Sequence, residues 1–169
     1  MSVKFIKAHL GDVVKMPISE SLVGYGHLLA KSVHGQLFFV GAFETAYPAD
    51  VHPDPRQVVQ DRILFAVGSI CDMVISQQWP VIGSVPPAKG IAMPRYRVFH
   101  GEKGWYVEDF NGKGRRATEA EVRRLPMSIS AGLQSLSQAL QAYHGVREWT
   151  DFYHEIEYDR IVALQDIKI

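Results

Sequence analysis

The sequence predicts an α+β fold, a curved antiparallel β-sheet with one main α-helix of the C-terminal half packed against it. Short apolar runs broken by glycine and proline fill roughly residues 10–115, and one charge-free stripe at helical spacing follows residue 128. Strands gathered first and a helix afterwards argue against a parallel α/β fold, in which the two alternate. A chain of 169 residues has the length of one domain, so residues 1–169 are expected to share a single core. Its 47% hydrophobic and 21% charged residues exclude wholesale disorder and a fibrous chain.

His27-Leu-Leu-Ala-Lys-Ser-Val33 and Gln36-Leu-Phe-Phe-Val40 are apolar runs separated by His34-Gly35, a spacing that predicts a tight hairpin. Gly24-Tyr25-Gly26 ahead of them reads as a turn or a close backbone approach. Prolines 48, 53 and 55 interrupt the chain, and Arg56–Gln60 adds a short helical turn. Ile63-Leu-Phe-Ala-Val67, bounded by Gly68, has the continuous apolarity of a buried central strand. Trp79-Pro-Val-Ile-Gly83 is a further short strand, which Pro80 places near an edge or a strand start.

The clearest hairpin joins Arg95–His100 to Trp105–Phe110 through Gly101-Glu-Lys-Gly104. If His100 opposes Trp105, Val98 pairs with Val107 and Tyr96 with Asp109 on one face. Phe99 then pairs with Tyr106, Arg97 with Glu108 and Arg95 with Phe110 on the other. Opposite charges at 97 and 108 favour this register. It turns Val98, Trp105 and Val107 inward and Arg95, Arg97, Tyr106 and Glu108 outward.

Asn111–Gly114 is turn chemistry, and Thr118-Glu-Ala-Glu121 is a capping box that opens a short helix ended by Pro126. The main helix is expected from Ser128 or Ser130 to Gly145. Ile129, Leu133, Leu136, Leu140 and Tyr143 form its apolar stripe, with Gln134, Ser137, Gln138 and Gln141 outward. Beyond it, Ile156, Tyr158, Val162 and Leu164 suggest a closing strand near 155–165, with a short helix as the alternative.

Eighteen basic residues balance eighteen acidic ones, which removes the long-range attraction to phosphate backbones. The lone Cys71 follows an apolar run and has no basic neighbour to activate it, so it reads as a small buried hydrophobe. Among the seven histidines no zinc spacing is found; His154 sits three residues after Asp151 and three before Glu157, which on a helix would share its face. There is no GxSxG, GxGxxG or P-loop. The expectation is a noncatalytic chain without cofactor or metal. The apolar run Ile63–Cys71 stops at Asp72, short of a membrane span, and the N-terminus meets His9 and Asp12 before any signal-like stretch.

Lys113, Arg115, Arg116, Arg123 and Arg124 make the one basic concentration, and Tyr96, Trp105 and Tyr106 precede it. Aromatics among arginines suit a protein interface, whose energy such residues dominate. They also suit a single-stranded nucleic-acid platform, which the zero net charge disfavours. The predicted partner-binding residues are Arg95, Arg97, Tyr106, Glu108, Arg115 and Arg116. The competing surface is the uncharged strip Gln134, Gln138 and Gln141.

At Gly11-Asp12-Val-Val-Lys-Met-Pro17, followed by Gly24-Tyr-Gly26-His-Leu-Leu, the chain resembles the Immunity protein 26 family, a bacterial group assigned to polymorphic-toxin systems. Ile63–Val67, then Trp79-Pro-Val-Ile-Gly83 and Pro86, match the family's later apolar strand and tryptophan–glycine segment. The likeness covers about residues 9–90, carried by order and spacing more than by any single motif. The first loop, Ser19–Val23, departs from the family in lacking a glycine. The resemblance implies a cytoplasmic immunity protein that binds a cognate toxin domain and blocks it. The six partner-binding residues then become the expected toxin-recognition surface.

Overall fold

The computed structural model describes residues 7–35, 37–127 and 132–169. Strands β1 (Asp12–Pro17), β2 (Leu22–Lys31) and β3 (Phe38–Phe43) form an antiparallel meander, with β3 leaving β2 as the hairpin expected at His34-Gly35. The two-residue β4 (Tyr47–Pro48) pairs with the start of β2. Helix α1 (Pro55–Val58) follows; the Asp54 carboxylate accepts the Arg56 N–H at 2.8 Å, and Pro55 occupies a position that needs no donor. Then come β5 (Ile63–Ser69), α2 (Asp72–Ile75) and β6 (Val81–Ser84). The sheet order is β5-β3-β2-β1-β6.

Two of the expected roles change. β5 is buried as its apolarity suggests, but it is an edge strand and not a central one. Its outer edge is covered from the C-terminal segment: the Ala66 N–H donates to the Ile156 carbonyl at 2.9 Å, and Phe65 bridges Glu157. Gly24-Tyr25-Gly26 lies inside β2 and is not a turn. The close-approach alternative is the one realised, since a Cβ on Gly24 would come 2.8 Å from Leu140 Cδ1. Pro80 precedes β6 at the opposite edge, where its carbonyl accepts the Lys15 N–H.

Every residue of β3 is buried because the sheet is covered on both faces. Phe38, Val40 and Ala42 join Val14, Met16, Leu28 and the helix residues Leu133, Leu136 and Leu140 in one cluster. The alternate residues point the other way, Phe43 to Tyr25 and Val58, and Phe39 to Phe110 and Ile161. An apolar run without alternation is what a strand with two dry faces requires.

The second sheet is separate, so the expected single sheet over 10–115 is two. It consists of β7 (Arg95–Phe99), β8 (Trp105–Asp109) and β9 (Gly114–Arg116), ordered β7-β8-β9. Helix α3 (Glu119–Arg124) begins with the complete capping box: the Glu121 N–H donates to Thr118 Oγ1, and the Thr118 N–H donates to Glu121 Oε2.

The longest helix, α4 (Gln134–Tyr143), packs on β3 and β5. Leu133, Leu136 and Leu140 are fully buried, whereas Tyr143 is exposed. The expected start at Ser128 or Ser130, with Ile129, lies outside the described residues. Ser137 is not outward. It is buried against β1, where its hydroxyl donates to the Pro17 carbonyl at 2.7 Å.

The closing strand expected near 155–165 is instead two short helices, α5 (Asp151–Glu155) and α6 (Tyr158–Ala163). Tyr153 and the α5 C-cap Ile156, then Ile161, the α6 C-cap Leu164 and Ile167 beyond it, are buried at steps of three, a helical spacing that the alternation of 156, 158, 162 and 164 obscures. No helix among the described residues is long and apolar enough to cross a membrane.

Candidate functional site

The β7–β8 hairpin pairs Phe99 with Trp105, Val98 with Tyr106, Arg97 with Val107, Tyr96 with Glu108 and Arg95 with Asp109. This is one residue away from the expected register. A short 3-10 turn at Gly101–Lys103 fills the connection, and the His100 N–H closes it onto the Gly104 carbonyl. His100 thereby belongs to the turn and not to the ladder. A slip of one residue exchanges the faces of one strand relative to the other.

The six expected recognition residues consequently divide between two faces. Arg95, Arg97 and Arg115 share a face with the buried Val107, which packs against Leu125, Leu164 and Ile167. Arg97 Nη1 donates to the Val122 carbonyl at 2.9 Å, and Arg95 Nη2 reaches Gln165 Oε1 at 3.5 Å. Arg115 makes a two-point pair with Glu121 at 3.0 and 2.7 Å. That pair, with the Thr118 N–H, pulls the Glu121 carboxyl down to about 2. These three arginines hold α3 and the C-terminal segment to the second sheet.

Tyr106, Glu108 and Arg116 lie on the opposite face. His100 joins them, with Nε2 at 2.5 Å from Glu108 Oε1 and its ring edge-on to Tyr106 at 4.8 Å. His100, Tyr106 and Glu108 border a shallow hollow of about 240 Å³. Val98 and Trp105, expected in the core, are only half-buried; of that trio Val107 alone is enclosed.

The register also creates a feature that sequence reasoning missed. Phe99 is 59% exposed and lies 5.1 Å from the Trp105 ring, while the Arg97 guanidinium sits 5.6 Å over the same indole. Beside this pair, Trp105, Arg116, Val122 and Arg123 border an open hollow of about 390 Å³. An exposed phenylalanine packed at a tilt against a tryptophan and rimmed by arginines has the composition of an interface anchor. The available signal was the placing of Phe99 and Trp105 on either side of one turn.

Elsewhere the chemistry is muted. Cys71 is fully buried, and burial with the neighbouring Asp72 pushes its thiol up to about 12, the opposite of an activated nucleophile. His27 is buried and its Nε2 donates to the Val85 carbonyl at 2.7 Å; desolvation lowers its pKa and keeps the ring neutral. His154 does meet Glu157, as helical spacing allows, but no group of three or more metal-ligating side chains gathers among the described residues. The alternative strip on α4 is partly covered: Gln138 and Gln141 are half-buried and Gln134 is exposed.

Comparison with models of known protein families, with curated proteins and with solved structures finds no match.

Proposed function

We propose that this chain is a noncatalytic, cytoplasmic immunity protein that neutralises a toxin domain by binding it stoichiometrically. The observation that carries the reading is the Phe99–Trp105 corner of the second sheet. A solvent-facing phenylalanine stands here beside a guanidinium-capped indole, a pairing of the residue types that dominate interface energies. The resemblance of residues 9–90 to the Immunity protein 26 family supplies the kind of partner. Within the recognition surface, Phe99, Trp105 and Arg116 take the anchoring roles, Tyr106 and Glu108 extend it on the hairpin's other face, and Arg95, Arg97 and Arg115 hold the surface in shape.

The test is whether the adjacent upstream gene encodes a large protein with a toxin-like C-terminus, followed by co-expression of this chain with that C-terminal fragment. The expected result is relief of growth arrest and a one-to-one complex. A folded Phe99→Ala, Trp105→Ala variant should lose at least about 2 kcal/mol, roughly thirtyfold in affinity. Unchanged affinity in that variant would remove the corner from the interface. Tight, strongly salt-dependent binding of single-stranded oligonucleotides, lost in the same variant, would favour the nucleic-acid reading instead.

A further inference from the structure

A second exposed aromatic surface lies at the outer edge of β5, far in character from the arginine-rimmed corner. Phe65 forms its floor. Tyr143 and Trp149 stand against that ring at 6.5 and 6.1 Å and are 44% and 39% exposed. On one side the Tyr143 hydroxyl donates to Glu44 Oε1 at 2.5 Å, Glu44 lies 3.6 Å from Arg62, and Arg62 binds Asp159 at 2.6 Å. On the other side the Trp149 indole N–H donates to His154 Nε2 at 3.1 Å, and His154 Nδ1 therefore carries the proton that it donates to Glu157 at 2.8 Å. Glu157 in turn bridges the backbone of Phe65. Phe65, Trp149, His154 and Glu157 close a ring, and the Tyr143–Glu44–Arg62–Asp159 chain runs from the same Phe65 on its other side.

The charge of this region is opposite to that of the second sheet. Residues 144–160 contain five carboxylates and two arginines. An indole face flanked by carboxylates attracts a guanidinium in two ways, through the ring quadrupole and through charge-assisted hydrogen bonds. The surface already accepts one such group from its own chain, since Arg62 lies between Glu44 and Asp159. The indole is also held in place by its bond to His154, so little side-chain freedom remains to be lost on binding.

We propose that this surface docks an arginine-bearing segment of a protein partner, with the guanidinium on Trp149 and its charge met by Glu44 and Glu157. The inference does not depend on the partner being a toxin, nor on the Phe99–Trp105 corner.

The experiment titrates the full chain, in a Trp105→Phe background, with an acetylated tetra-arginine peptide, followed by tryptophan fluorescence and calorimetry. A tetra-glutamate peptide serves as control. One saturable site that perturbs Trp149 emission is expected for the arginine peptide and none for the glutamate peptide. Glu44→Gln with Glu157→Gln should weaken binding at least tenfold. Glu148→Gln with Asp151→Asn, which removes the same charge from exposed positions outside the ring, should change it less than twofold. Equal losses in the two double variants would reduce the effect to net charge and overturn the proposal. So would wild-type affinity in Trp149→Leu; if that variant does not fold, the two glutamine comparisons decide alone.

Discussion

The six-stranded sheet and the three-stranded sheet solve the same problem with different margins. In the first, β3 is buried at every position and its two sets of side chains enter different clusters, so each residue has a dry destination. In the second, only Val107 is enclosed among the ladder residues, and its shape depends on Arg97 at Val122, Arg115 at Glu121 and Arg95 at Gln165. A sheet held by apolar burial tolerates little change within its core. One held by polar clamps at a half-wet surface leaves aromatic side chains free for a partner. The difference teaches where to look for function, because the weaker packing and the exposed anchors coincide.

The sharpest test of this contrast is core truncation. Phe39→Ala should cost about 3–5 kcal/mol, since Phe39 is fully buried between the first sheet and Phe110. Val98→Ala, on a half-buried strand of the second sheet, should cost about 1 kcal/mol or less. Urea midpoints at equal m-values measure both, and similar shifts would abolish the distinction.

Backbone crowding should rank next. A Cβ on Gly114 would lie 2.2 Å from the Val107 carbonyl oxygen, a clash that no side-chain rotation relieves. Gly114→Ala is expected to cost about 1–3 kcal/mol and to detach β9. Amide exchange should then accelerate at Tyr106–Glu108 while β3 stays protected. Uniform acceleration across both sheets would show a single cooperative unit in place of a strong and a weak one. A smaller loss, about 1 kcal/mol, is expected from Thr118→Ala, which removes one half of the capping box beneath the second sheet.

Acid should separate the two sheets by pH. His27 has its pKa lowered from 6.5 by burial, so the unfolded chain takes up the proton first. The stability it supports is complete above about 6.5 and falls as pH drops below that value towards the lowered one. Glu121 is held at about 2 against an ordinary 4.5, so its contribution is complete above 4.5 and disappears as pH falls through about 2. Melting temperatures of His27→Gln should therefore lose the upper slope, and those of Glu121→Gln the lower. A wild-type upper slope in His27→Gln would assign that window to another group.

Much of the first sheet was legible because its strands are apolar throughout and its turns contain glycine or proline. The hairpin at His34-Gly35, the run at 63–67, the capping box at Thr118 and the Leu133–Leu136–Leu140 stripe all have local causes. The candidate site was legible only as a region. Arg95 and Arg97 were read as outward because charge normally seeks water, yet each has a protein partner that makes a turned-in guanidinium tolerable. Phe99 was passed over although the expected register already placed it on the outward face; what the one-residue slip changed is that Trp105 joins Phe99 and Arg97 on one face, which an Arg97–Glu108 charge match does not decide.

By itself, then, the chain's pattern determined the class of fold, the positions of its turns and caps, and the burial of Cys71 and the long-helix leucines. These follow from interactions within a few residues or from periodicity along one element. Tertiary structure alone decided that β5 is an edge covered by the Ile156 segment, that residues 95–116 form a sheet of their own, and that Arg97 supports Trp105 from beneath. The physical reason is that each depends on a partner distant in sequence. An alternating strand such as Arg95–Phe99 furnishes both faces comparably, and only the arrival of α3 and the C-terminal segment on the Val107 face encloses Val107 while Phe99 and Trp105, at the turn end of that same face, stay partly open.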